Sequence, residues 1–537
     1  MLQSSLMPSD PVKASVPALS SAVAPDRVAL RDRLWLNALA VGAVIVAFKA
    51  TPVPFRNELV YLVLLAKQWN PGYLANDWTL SGPWAEKLVF NTVFGPLTLV
   101  ASIETVGWIG RVLIWAGAIW LLFVLGRKLD LPRWLVSAAV ILWVVYGDVD
   151  RTTTGREWML DGFEAKPVAY LLLLGALIAC LQGRRFVPWM LLGLSFSMHP
   201  AVGLWGAAAV GGAWLVTRRP VPDLLRGAMV TGLFALPGLW SLLPVVANGA
   251  LLGQGSASAA DRAFVVLMRM SHHLDPFTFV KQDVLVLYLF LLFNVLHVRR
   301  QRPHPAFEFV LAFELCLGAI YAVGFGFRYL EHYTLLKLMP FRVFSLLIPL
   351  FFFFHLAHAY QTWRLRPLAP AAVLVGLVCL ASLGSPIVQT VDQLRAHAAL
   401  WTAHEADDVE RAFRWVATHT PQDAIVISPP WRKDAFYLTG RAQVVSWSIL
   451  RNDQLGEWRR RIEALAGPFP LTPRSHEEIE AGIRTAYAGR SESDMAALAR
   501  RYGASYLVTD APYDFPLLFS AGRTRVYALG GALRASR

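Results

Sequence analysis

From Leu34 onward, long apolar runs alternate with short polar breaks, as in a chain built from membrane-crossing helices. Runs fit to cross or to form helical hairpins fall at 34–52, 90–126, 134–147, 165–182, 187–198, 201–217, 227–247, 277–297, 306–326, 341–361 and 368–388. Run 90–126 exceeds one crossing. Its start is expected to lie in or above the interface and its remainder to cross. The runs flanking Met198-His199-Pro200 are short, so a tight hairpin with that tripeptide at its tip is expected. Segment 57–69 puts Leu59, Val60, Leu62, Val63 and Leu65 on a broad apolar face, which suits a helix lying in the interface.

Beyond about residue 390 charges become frequent and apolar runs shorten. The stretch 404–417 has the period of an amphipathic helix, and 493–502 reads as another helix. Segments 423–428, 442–447, 504–509 and 525–529 read as strands. Strands interleaved with helices predict a small α/β domain. The expected organisation is a polar tail over 1–32, a polytopic α-helical membrane domain over 33–389 with about 10–11 transmembrane or hairpin helices, and an α/β domain over 390–537. The tail lacks an apolar core, so it is expected to be a disordered cytoplasmic segment rather than a signal peptide.

Basic residues set the orientation. Arg27, Arg31 and Arg33, then Arg127-Lys128 with Arg133, Arg184-Arg185, Arg218-Arg219 with Arg226, Arg299-Arg300 with Arg302, and Arg364 with Arg366 occupy alternate breaks. With these in the cytoplasm, the parity closes. Loops 53–89, 148–164, 198–201, 248–276 and 327–340 then face outward, as does the α/β domain. The expected location is a bacterial cytoplasmic membrane. Composition agrees: 55% of residues are hydrophobic, 16% are charged, and mean hydropathy is +0.45, against about 25% charged in soluble proteins. The net charge of +13 follows from the basic loops and requires no nucleic acid partner. Cys180, Cys316 and Cys379 all lie in apolar stretches, so no disulfide or cysteine metal site is expected.

Polar residues worth chemistry gather in the outward loops. The first loop carries Glu58 and Asp77. The second holds five carboxylates, Asp148, Asp150, Glu157, Asp161 and Glu164, ahead of Lys166-Pro167. Carboxylates from two loops, joined by His199, could share a divalent ion such as Mg, Mn or Zn; one could instead act as a general base. Arg269 in the third loop, with Arg328, Lys337 and Arg342 in the fourth, runs against the positive-inside bias and suits a phosphate group. The bland alternatives are helix caps, solvated turns and side chains snorkelling to ordinary phospholipid. No P-loop, dinucleotide fingerprint or cysteine zinc motif is present.

The stretches Arg56-Asn57-Glu58-Leu59-Val60-Tyr61, Asp161-Gly162-Phe163-Glu164-Ala165-Lys166-Pro167-Val168-Ala169-Tyr170 and Met198-His199-Pro200, placed among these spans before an exported α/β domain, resemble the GT-C class of membrane glycosyltransferases. That class includes oligosaccharyltransferases, protein O-mannosyltransferases and aminoarabinose transferases. The resemblance implies transfer of a sugar from a polyprenyl-phosphate carrier to an envelope glycan, lipid or protein acceptor. It implies Glu58 as the first-loop acid, as base or metal ligand, and Glu157, Asp161 or Glu164 as the second-loop acid. Glu58, Asp77, Glu164 and His199 form the candidate metal set; Arg328, Lys337, Arg342, Lys166 and Arg269 form the candidate phosphate set. Asn57 stands where the class often carries a second acid, leaving the metal set one carboxylate short. Two other readings compete: a lipid or sugar transporter, for which Arg111, Glu308 and Glu314 in or near the spans are the signal, and a non-catalytic scaffold that binds an envelope polymer.

Overall fold

The computed structural model describes residues 33–81, 87–148, 157–247, 258–301, 304–364, 367–382, 384–402, 406–450, 454–468 and 475–529. The expected polar tail lies outside them, as do Asp150 and most of the second loop before Glu157. Helix α1 (Leu34–Lys49) is followed by the short α2 (Glu58–Trp69) and α3 (Leu88–Phe94). A 3-10 turn over Gly95–Leu99 ends the polypeptide's first approach. Ser102 then caps α4 (Ile103–Lys128) by accepting from the Thr105 amide. Run 90–126 therefore divides as its length requires.

The bundle continues with α5 (Arg133–Asp148), α6 (Ala165–Leu181), α7 (Val187–Met198), α8 (Pro200–Val216), α9 (Val221–Ala247), α10 (Lys281–Gln301), α11 (Pro305–Tyr329), α12 (Arg342–Thr362), α13 (Pro370–Ala381) and α14 (Gly384–Thr402). Among the described residues, five helices are long and apolar enough to cross a membrane: α4, α9 over Val221–Leu243, α10, α11 and α12. Helices α7 and α8 form the expected hairpin. Pro200 occupies the first helical turn, where its missing N–H costs nothing. Gly203 lets the two helices touch, since a Cβ there would sit 2.1 Å from the Phe196 nitrogen.

Helix α14 carries the bundle past the expected boundary at 389. The Trp401 indole donates to the Ala50 carbonyl at 3.0 Å and stacks on Trp108. The α/β unit begins after it, with α15 (Asp408–His419), β1 (Ile425–Ile427), α16 (Ala435–Thr439), β2 (Ala442–Gln443), α17 (Leu455–Ala466), α18 (His476–Ala488), α19 (Glu492–Tyr502), β3 (Tyr506–Thr509), β4 (Leu517–Ala521) and β5 (Thr524–Ala528). The strand order is β2-β1-β3-β5-β4. Strand β1 pairs in parallel with β2 and β3, while β5 runs antiparallel to β3 and β4.

The domain sits directly on the bundle. Trp447 and Trp458 meet Phe264 at ring separations of 6.2 and 6.0 Å. Helix α2 is a buried layer between the two rather than an interfacial helix against lipid. Its Leu62 and Leu65 join the bundle core, while Val60, Val63 and Leu64 pack with Phe436 and Ile449 of the domain. The helix is apolar nearly all round, which suits burial on both sides. Each such side chain taken out of water contributes about 1.5–3 kcal/mol.

The loop after α2 fastens the two parts. Buried Asp77 accepts the amides of Thr79, Leu80 and, across the junction, Gln443. The Trp78 indole donates to Val444 O at 2.8 Å, and the Arg461 guanidinium lies over its ring at 4.1 Å.

Candidate active site at the domain-bearing end of the bundle

The acids of the two loops separate by the partners they keep. Glu58 opens α2 and is buried. Arg111, midway along α4 and wholly buried, donates Nε to Glu58 Oε1 at 2.8 Å and Nη2 to Oε2. The Phe55 and Phe163 amides also donate to this carboxylate, at 3.0 and 2.7 Å. Gly110 makes room for the Phe163 ring, 2.0 Å from where a Cβ would lie. Four donors leave Glu58 no vacancy for a metal or an acceptor proton. It is held in an ion pair with Arg111, with no oxygen left open for the role expected of it.

Asp161 is likewise claimed, by Lys49 at 2.7 Å and Arg56 at 3.7 Å. Asp77, expected among metal ligands, is the clasp described above. Burial raises its carboxyl to about 6 despite the three amides. Arg328 pairs with Asp275 at 2.9 Å beneath the Phe277 ring, and Lys337 follows the short helix Tyr333–Leu336.

A different arrangement surrounds Glu164. Three helices begin at one place: α6, with Glu164 at its N-cap; α8, with His199 at its N-cap; and α12, whose first residue is Arg342. Helix N-termini carry partial positive charge. Here they also carry cations, Lys166 in the first turn of α6 and Arg342 at the start of α12, against the usual preference. Lys166 Nζ lies 3.4 Å from Glu157 Oε1, 3.7 Å from Glu164 Oε1 and 4.0 Å from the Trp158 ring centre. Arg342 Nε lies 3.6 Å from Glu157 Oε2, and its Nη1 lies 3.4 Å from His199 Nε2. The Tyr170 hydroxyl donates to Glu157 at 3.0 Å. Lys87 acts electrostatically on both Glu164 and His199 while its Nζ rests over Tyr61 at 4.6 Å.

These groups are buried yet not saturated. Glu157 Oε2, Glu164 Oε2 and Arg342 Nε have no hydrogen-bond partner, which is costly unless a ligand supplies one. Burial pushes the Glu164 carboxyl upward, with Lys166, Lys87 and Arg342 opposing. Burial pushes His199 well down, and the nearby Lys87, Arg342 and Lys166 act in the same direction, so its ring is neutral at ordinary pH. Its Nδ1 accepts the Val202 amide at 3.4 Å. Cation outweighs acid: Lys87, Lys166 and Arg342 with three helix N-termini face Glu157 and Glu164. Such a site is suited to an anion.

A second cationic group lies at the junction with the domain. Half-buried Arg269 donates to Ser448 O at 2.9 Å while its Nε has no partner, and desolvation lowers it to about 10. Lys433 of the domain lies within electrostatic reach of Arg269. Tyr61 lies within electrostatic reach of both Arg269 and Arg342, linking the two groups.

The expected metal set is not assembled. Among the described residues no group of three or more His, Cys, Asp and Glu side chains could hold a metal. Glu58 and Asp77 are saturated, and Glu164 and His199 face cations. Glu164, Glu157, Lys166, Arg342 and His199 are brought together, with Arg269 linked through Tyr61. Lys87 and Lys433 were missed, although Lys87 had a signal as a lysine in an outward loop; Tyr61 and Tyr170 ended the resembling stretches without a role assigned to them. Trp447 is buried and Tyr437 donates to Glu104, so neither is open to stack on a sugar. An apolar cleft of about 1190 Å³ opens among α1, α4, α5, α6 and α7, around Arg127 and Arg133, away from Glu164.

Residues 407–465 match a family described as a domain of unknown function, DUF6798. A comparison with curated proteins gives no match. Among solved structures, the chain is similar to the Archaeoglobus fulgidus oligosaccharyltransferase in its apo form, at 12% identity, TM-score 0.52, over 91% of this chain and 70% of that one. It is also similar to the Archaeoglobus fulgidus oligosaccharyltransferase AglB in complex with an inhibitory peptide and a dolichol-phosphate, at 10% identity, TM-score 0.47, over 88% and 69%. The first likeness gives the chain a GT-C-like fold, that of a membrane protein.

Proposed function

We propose that the chain is a membrane glycosyltransferase that moves a sugar from a polyprenyl-phosphate carrier to an envelope glycan, lipid or protein, with the α/β domain outside a bacterial cytoplasmic membrane. The observation that carries this reading is the convergence of three helix N-termini with Lys166 and Arg342 around the unsatisfied oxygens of Glu157 and Glu164. A sugar leaving a phosphate carrier deposits negative charge on phosphate oxygen. Lys87, Lys166 and Arg342, fixed by burial, would stabilise that charge as it forms. Glu164 accepts the proton of the attacking hydroxyl or amine; burial strengthens it as a base. His199 stands beside Arg342, its Nε2 3.4 Å from Nη1, and adds no charge to the site. Glu58 and Arg111 keep the first loop against the second.

The test is Glu164→Gln in cells assayed for a surface glycan, with Glu58→Gln beside it. Loss of the glycan from correctly inserted Glu164→Gln protein supports transfer. Full retention removes the catalytic reading and leaves the scaffold, which the saturation of Glu58 favours.

A further inference from the structure

The spans contain a polar chain that glycosyl transfer at the domain-bearing end does not use. It runs through α10, α11 and α12, all three candidate spans. His297 Nδ1 lies 2.8 Å from His355 Nδ1, and His297 Nε2 lies 2.9 Å from His358 Nδ1. His355 Nε2 faces Glu314 Oε1 at 3.3 Å, and neither atom has a hydrogen-bond partner. The Asn294 amide donates to Glu314 Oε2 at 2.8 Å. Asn294, His297, Glu314 and His355 are wholly buried, whereas His358 is 8% exposed. Polar side chains of this kind are costly inside a bilayer and mark ion or proton paths.

The chain has two ends. Gln301 and Thr362, joined by a 2.8 Å hydrogen bond, lie with His358 near the Arg-rich end of the bundle, where Gln361 donates to Asp130 O. Glu314 lies nine residues beyond Pro305 in α11, about 14 Å deeper at 1.5 Å per residue, close to the middle of a core roughly 30 Å thick. Helix α13, packed on α10, brings no charged residue.

We propose that His358, His297 and His355 form a proton path between the Arg-rich end of the bundle and Glu314. Each neutral imidazole has one N–H and one bare nitrogen. With Glu314 protonated, its O–H points at His355 Nε2, His355 Nδ1–H donates to His297 Nδ1, His297 Nε2–H donates to His358 Nδ1, and His358 carries its proton on Nε2. Transfer along the line moves the Glu314 proton to His355 Nε2, the His355 proton to His297 Nδ1 and the His297 proton to His358 Nδ1. His358 Nε2 then releases one proton. The end state is a Glu314 carboxylate that faces His355 Nε2–H and accepts from Asn294. Every ring has exchanged tautomer, no ring has gained charge, and one proton has travelled the length of the chain. The inference goes beyond glycosyl transfer and does not depend on it.

The test is infrared difference spectroscopy on the full chain reconstituted in lipid, after a pH jump. A protonated-carboxyl band should titrate in the wild type and be absent in Glu314→Gln. His358→Gln keeps a hydrogen-bonding group without a titratable ring; it should slow the band's response at least tenfold while preserving its final amplitude. An unchanged rate in folded His358→Gln protein would overturn the path, as would a wild-type band that does not titrate. Should His358→Gln not fold, nitrogen-15 NMR of the wild type decides: the three rings should exchange tautomers together with pH, and fixed tautomers overturn the path. Metal analysis closes the alternative, because a stoichiometric transition metal on these imidazoles would occupy the nitrogens the path needs.

Discussion

Two buried acids near the same end of the bundle have been given opposite surroundings. Glu58 meets four donors, two of them from one guanidinium. Glu164 has one oxygen without a partner, and its nearest cation is 3.7 Å away. Saturated charge holds loops together; unsaturated charge, surrounded by cations and helix ends, is kept ready for a ligand. The acid most prominent in the sequence belongs to the first kind.

The strongest way to break this contrast is Arg111→Met. It leaves a carboxylate buried without its counter-charge and should cost about 3–5 kcal/mol, read as a lower unfolding temperature in detergent. A loss under 1 kcal/mol would show that Glu58 does not depend on the pair. Glu164→Gln is the converse. Transfer should fall at least about 100-fold while the unfolding temperature holds. If instead stability collapses and transfer per folded molecule persists, the two acids have been assigned the wrong way round.

A third measurement concerns Asp77, a saturated acid at the junction. Its folded carboxyl titrates near 6, above the usual 3.8, so the folded state holds the proton more tightly. Stability from this group is therefore greatest below pH 4 and declines as pH rises through 6, by on the order of 2 kcal/mol after relaxation. Unfolding curves at pH 5 and 7 should show that decline in the wild type and a smaller one in Asp77→Asn; equal slopes would dismiss it. The smallest effect is Trp78→Phe, which deletes one indole hydrogen bond and should loosen the domain by about 1 kcal/mol. Protease cleavage after α14 would report it; unchanged cleavage counts against that bond.

Much of the bundle was legible because lipid dictates both length and composition of a crossing. The hairpin at His199 showed itself through Pro200, and the division of run 90–126 through its length. Helix α17 escaped because Arg459-Arg460-Arg461 obscures an amphipathic face on Leu455, Trp458, Ile462 and Leu465. Strand β4 escaped because its Leu517 and Leu518 remain exposed. The pairing of Glu58 was hidden from the sequence for a plain reason. An acid is catalytic or structural according to its partner, and Arg111 lies 53 residues away. Glu164 and Lys166 stand two residues apart in the sequence, but the arrival of Arg342 and His199 beside them depends on helix packing that no local pattern encodes.

The Asp77 clasp also fixes an order of assembly. Its third amide belongs to Gln443, 366 residues further along the chain. A ribosome releases that partner only after nearly all the bundle has been inserted. Until then the carboxylate stays hydrated and α2 has one uncovered side, so the first loop to leave the ribosome is among the last to settle.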